Sequence, residues 1–114
     1  MKLWQPENPV GIYDAVINIG SAQTIVIGRP SQQIVVISCF LTVAANSTLS
    51  WLSSTGSVLI CGPSPITATG GYVMPFNAGG WFQTAIGDSL ILSPSPNTSI
   101  GGCMTYVWAN QPGN

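Results

Sequence analysis

Gly70-Gly71-Tyr72-Val73-Met74-Pro75-Phe76-Asn77-Ala78-Gly79-Gly80-Trp81-Phe82-Gln83-Thr84-Ala85-Ile86-Gly87-Asp88-Ser89-Leu90-Ile91-Leu92-Ser93 decides how the rest of the chain is read. With the segment that follows, up to Trp108, it breaks into four strand-sized pieces: 71–76, 80–86, 89–93 and 102–108. Asn77-Ala78-Gly79-Gly80 and Ile86-Gly87-Asp88-Ser89 separate them, rich in residues that accept positive φ or bond backbone amides. Tyr72, Met74 and Phe76 share one face of their strand. Trp81 and Phe82 place one large ring on each side of the sheet, and Met104, Tyr106 and Trp108 share a face of the last strand.

Working outward, the same punctuation recurs. Residues 14–19 and 23–27 are short and β-branched, separated by Gly20-Ser21, and predict a hairpin. A second hairpin is expected from 48–52 and 56–61 around Ser53-Ser54-Thr55-Gly56. Gly62-Pro63-Ser64-Pro65 reads as a break, because proline supplies no amide donor to a ladder. Ser93-Pro94-Ser95-Pro96-Asn97 reads as a loop.

The longest β-prone run is 33–44. One face would carry Ile34, Val36, Ser38, Phe40 and Thr42; the other would carry Val35, Ile37, Cys39, Leu41 and Val43. Both faces are largely apolar, which predicts burial on both sides and makes the second side a subunit interface. No ten-residue segment has helical periodicity. Strands at spacings of 8–12 residues argue for an all-β fold: an antiparallel β-sandwich, jelly-roll-like. The expected organisation is an extended N-terminal arm over 1–12, a single domain over 13–110 and a short tail over 111–114. Trp4 is the anchor by which the arm would dock on a neighbour.

Charge is the unusual property. Lys2, Arg29, Glu7, Asp14 and Asp88 are the whole inventory, 4% of 114 residues against about 25% in ordinary domains. With net charge −1 and 46% hydrophobic residues, the surface lacks the charge that keeps a monomer dispersed, so assembly is expected. One Lys and one Arg form no basic patch, which argues against nucleic acid and anionic membrane as partners. The N-terminal segment has no apolar core of a secretory signal, and the run 34–45 is too short to span a bilayer.

Catalytic chemistry finds few candidates. There is no His, so neither a Ser-His-Asp arrangement nor an imidazole ligand is possible. The three carboxylates fall in arm or turn positions. Cys39, Cys61 and Cys103 cannot close into pairs and lack a fourth zinc ligand; they read as small buried apolar fillers, and Cys39 and Cys103, with no basic residue nearby, as inert thiols. The glycine pairs lack the Lys-Ser/Thr of a phosphate loop. No enzyme activity, cofactor or metal is expected.

The quoted stretch also carries a resemblance. Gly70-Gly71-Tyr72-Val73-Met74-Pro75-Phe76-Asn77, then Gly80-Trp81-Phe82-Gln83-Thr84-Ala85-Ile86-Gly87-Asp88-Ser89-Leu90-Ile91-Leu92, then Gly101-Gly102-Cys103-Met104-Thr105-Tyr106, resembles a C-terminal pattern of small tailed-bacteriophage virion proteins. It covers roughly the last third of the chain. It departs from the pattern in having fewer acidic and Lys residues and in the Pro94/Pro96 segment. The resemblance implies a virion-structural β-sandwich. The corresponding expectation is a capsid decoration (cement) protein on the capsid surface, made in the host cytoplasm, with itself as a homo-oligomer (a trimer) and the major capsid protein as partners. The alternative is a receptor- or carbohydrate-binding head of a fibre or tail. Interface residues expected from aromatic enrichment are Trp4, Phe40, Tyr72, Phe76, Trp81, Phe82, Tyr106 and Trp108.

Overall fold

A computed structural model describes residues 11–110, so Trp4, most of the expected arm and the tail lie outside the described residues. Nine strands follow one another: β1 (Tyr13–Ile19), β2 (Gln23–Val26), β3 (Gln32–Val43), β4 (Ser47–Ser53), β5 (Val58–Ile66), β6 (Gly71–Met74), β7 (Phe82–Gln83), β8 (Leu90–Ser95) and β9 (Ile100–Asn110). A single 3₁₀ turn at Thr55–Ser57 is the only helical element among the described residues, and no helix there is long and apolar enough to cross a membrane. The strands form two antiparallel sheets, the expected all-β sandwich. The first has the order β1-β9-β3-β6, with β7 also on β3; the second has β2-β8-β4-β5.

Facing side chains fill the space between the sheets. Ile17, Ile34, Val36, Leu41 and Met104 from the first sheet meet Leu49, Trp51, Leu90 and Leu92 from the second, all essentially without solvent contact. Trp51 is the largest of them, and its ring lies 5.3 Å from that of Phe82. Its indole Nε1 donates to the Tyr72 hydroxyl at 2.9 Å, so this ring is buried without orphaning its polar atom.

Three expectations are corrected by this topology. β1 and β2 are not a hairpin: they join different sheets, so the Gly20–Ala22 turn crosses the sandwich. Residues 62–65 do not break the chain. They belong to β5, the outer strand of its sheet, where a missing amide donor has no neighbour to disappoint. Pro94 likewise sits inside β8, paired with Leu49, beyond Leu92, which pairs with Gln23 at the start of β2.

β3 departs from simple alternation. Its register with β9 slips between Val36 and Ser38, leaving Ile37 as the extra residue of a bulge. A one-residue slip exchanges the faces. The core therefore takes Ile34 and Val36 from one set of alternating residues, and Cys39, Leu41 and Val43 from the other. Val35 and Ile37 are buried as well, whereas Phe40 remains 46% exposed. Burial on both sides holds for the first half of the strand only.

The segment after β6 is responsible. Running along the edge of β3, it donates backbone hydrogen bonds from Asn77 to Ile37 O, Trp81 to Val36 O, Thr84 to Ile34 O and Gly87 to Gln32 O, at 2.7–3.0 Å. Gly80, at φ +87°, lies so close over Val35 that a Cβ there would clash with its Cγ1. Thr84 Oγ1 accepts from Ile34 N at 3.0 Å. At the far end, the Asp88 carboxylate accepts from Ser53 Oγ (2.5 Å), Thr55 Oγ1 (2.6 Å) and Thr55 N (2.9 Å). The bonds from Ser53 and then from Thr55 hold the Asp88 carboxyl below its ordinary range, against the opposing effect of burial.

Candidate interaction surface

The outer face of the first sheet is built by register. Val16 on β1 pairs with Cys103 on β9, Cys103 with Phe40 on β3, and Phe40 with Val73 on β6. Directly paired residues share a face, so these four side chains form one apolar row across four strands. The row is open to solvent: Val16 is 79% and Val73 70% exposed, and Cys103 is exposed too. Gly102 lets the strands approach here, since a Cβ on it (φ +154°) would run into the Phe40 carbonyl oxygen. One flank of the row holds Asp14, Thr105 and Ser38, with Ser38 and Thr105 joined by a short hydroxyl–hydroxyl hydrogen bond. The other flank holds Asn18, Gly101, Thr42 and Gly71.

Two depressions mark this face. One, of about 230 Å³, lies among Phe40, Val73, Pro75 and Cys103. The second, of about 380 Å³, is lined by Ile12, Asp14, Ser38, Phe76 and Thr105. Phe76 is 65% exposed at its rim. Among the described residues, Asp14 is the one charged side chain lining either.

The aromatic residues expected at an interface separate into groups. Phe40, Phe76 and Trp81 are exposed; the Trp81 indole is held by a 2.8 Å bond from its Nε1 to Pro75 O. Phe82 is corrected: it is a core residue on Trp51, out of reach of any partner. Tyr72 is half-buried with its hydroxyl on Trp51, and burial pushes its pKa up to about 12. Tyr106 and Trp108 belong to a cluster at one end of the sandwich. Tyr13 stacks on Tyr106 at 5.6 Å, Tyr106 meets Trp108 edge-on at 5.8 Å, and the Arg29 guanidinium sits 4.3 Å over the Trp108 ring. That ring face is occupied by the chain's own cation. Residues Val16, Cys103 and Val73 escaped the aromatic criterion. The sequence signal for Val16 is an apolar residue between Asp14 and Asn18 on the otherwise polar side of β1.

Cys39 is buried, which raises its thiol to about 12, and burial raises Cys61 as well. Among the described residues no three of His, Cys, Asp and Glu come together as a metal site. No family model, curated protein or solved structure matches the chain.

Proposed function

We propose that the chain is a structural binding protein that docks the outer face of the β1-β9-β3-β6 sheet on a larger protein surface, as a homo-oligomer. The observation that carries this reading is the uncharged apolar row Val16–Cys103–Phe40–Val73, open to solvent across the whole sheet. Phe40 and Phe76 together leave on the order of 200 Å² open, a whole aromatic side chain being 150–250 Å². At about 25 cal/mol per Å² that is roughly 5 kcal/mol gross before association costs, so many copies are needed for firm attachment. With little charge to screen, such contacts persist in salt.

A cement or decoration protein on a phage capsid lattice, with the major capsid protein beneath it, is the form of this activity that the resemblance over residues 70–108 supports. We read the strand wrap as two interlocked Greek keys of a jelly roll. That reading is supported by the orders β1-β9-β3-β6 and β2-β8-β4-β5, in which successive early strands alternate between sheets. The decisive experiment heats particles with and without the protein and measures re-attachment of a Phe40→Ser chain. Greater heat resistance with the wild-type chain, and loss of attachment by the variant, are expected. Unchanged particle stability or full attachment of the variant would overturn the proposal. The exposed ring of Trp81 favours the alternative, a carbohydrate-binding head; a glycan bound by the wild type and lost in Trp81→Ala would decide for it.

A further inference from the structure

The four outer strands of the sandwich are not equally protected. β5 carries Pro63 and Pro65, and β2 is only four residues long and closed by Gly28-Arg29-Pro30. β6 is equally short and stops before Pro75, and the 77–87 segment occupies the rest of the β3 edge. These are the devices that keep a sheet edge from pairing with another chain. β1 has none of them. It is seven residues long, free of Pro and Lys, with Asp14 its single charge, and among the described residues no strand pairs with it on the side away from β9.

We infer that β1 pairs antiparallel with β1 of a second copy, about a two-fold axis passing at Val16. The inference extends the docking proposal by naming where copies join, and it gives a two-fold pair in place of the trimer expected from sequence. The register is set by the strand itself. Cross-strand partners must share a face, which excludes every register that opposes an inward residue to an outward one. Of those left, the one centred on Val16 pairs all of Tyr13–Ile19, because Val16 is the middle residue of β1. It sets Asp14 opposite Asn18 of the other copy, twice, so that each carboxylate meets an amide donor. A register centred on Asp14 would oppose the two carboxylates and pair fewer residues.

The consequence for the outer face is continuity. Two sheets become one of order β6-β3-β9-β1-β1-β9-β3-β6, and the apolar row runs unbroken from one Val73 to the other. Standard interfaces bury roughly 800 Å² per partner, so the area a docking face presents matters. The pair doubles it with both halves facing the same way, as an isologous two-fold requires.

Sedimentation of the full chain at tens of micromolar, combined with disulfide trapping, tests this. Wild type should be a dimer. Val16→Lys sets two ammonium groups at the axis and should weaken the dimer by roughly tenfold or more. Val73→Lys, at the far end of the same row, should leave the dimer intact while lowering attachment to a larger surface. In a Cys103→Ser background, Val16→Cys should cross-link to itself. Asp14→Cys and Asn18→Cys should cross-link when mixed and not separately. A monomeric wild type, a dimer indifferent to Val16→Lys, or Asp14→Cys cross-linking to itself would each overturn the β1 pairing. Attachment that survives such a result leaves the docking proposal standing, and a dimer that forms without attachment leaves the pairing standing.

Discussion

The two halves of β3 are built from similar residues and have opposite fates. Ile34–Ile37 is buried on both sides, while beyond the bulge Cys39, Leu41 and Val43 are buried and Phe40 and Thr42 face solvent. Hydrophobicity does not distinguish them. The first half is flanked by a segment that pairs along its edge and brings Gly80 over Val35, pinned by Thr84 on Ile34 and Asp88 on Ser53 and Thr55. The second half has β6 beside it in the plane of the sheet, and its outward residues Phe40 and Thr42 stay exposed. Cover, supplied by a loop, turns an apolar strand face into core; without cover the same kind of face stays open to solvent.

The largest loss of stability is expected from Phe82→Ala. It removes the ring that the covering segment sends into the core against Trp51, and should cost about 3–5 kcal/mol, read by denaturant unfolding. Gly80→Ala should follow at about 1–3 kcal/mol. The added Cβ meets Val35 and the backbone is left-handed there, so the cover lifts and Val35 exchanges its amide faster. Acid should act on the anchor at Asp88. Its folded pKa is depressed, so the stability it contributes is whole above the ordinary carboxylate pKa near 4 and disappears as pH falls through the folded value. The protection of Thr84–Asp88 amides, taken relative to the intrinsic exchange rate at each pH, should fall in wild type between pH 5 and pH 2, and this pH dependence should flatten in Asp88→Asn. The smallest effect belongs to the open half. Phe40→Ser should change folding stability by no more than about 0.5 kcal/mol, as surface substitutions do, while attachment is lost.

Much of the scaffold was legible. Alternation and turn residues located β1, β3, β4, β6 and β9 within a residue or two, since β-branched and aromatic runs between Gly, Asn and Pro have few other conformations. That Met104, Tyr106 and Trp108 share one face of β9 was legible as well; that this face turns inward, where Tyr106 and Trp108 had been expected at an interface, was not. Pro63, Pro65 and Pro94 misled because whether a strand tolerates proline depends on what lies beside it, and only the sheet order supplies that. The candidate surface was half visible: Phe40 and Phe76 stood out as aromatics, and Phe82 stood out equally yet belongs to the core. Val16, Cys103 and Val73 carry no mark of their own. They matter because pairing sets them in line with Phe40.

By itself, then, the sequence determined the local conformations and the near-absence of charge, both of which are properties of residues and their immediate neighbours. Tertiary structure alone decided which half of β3 is covered, where its faces exchange, and that four residues far apart in the chain form one exposed row. Those depend on strand register and on the path of a loop, which are fixed by packing between segments distant in sequence.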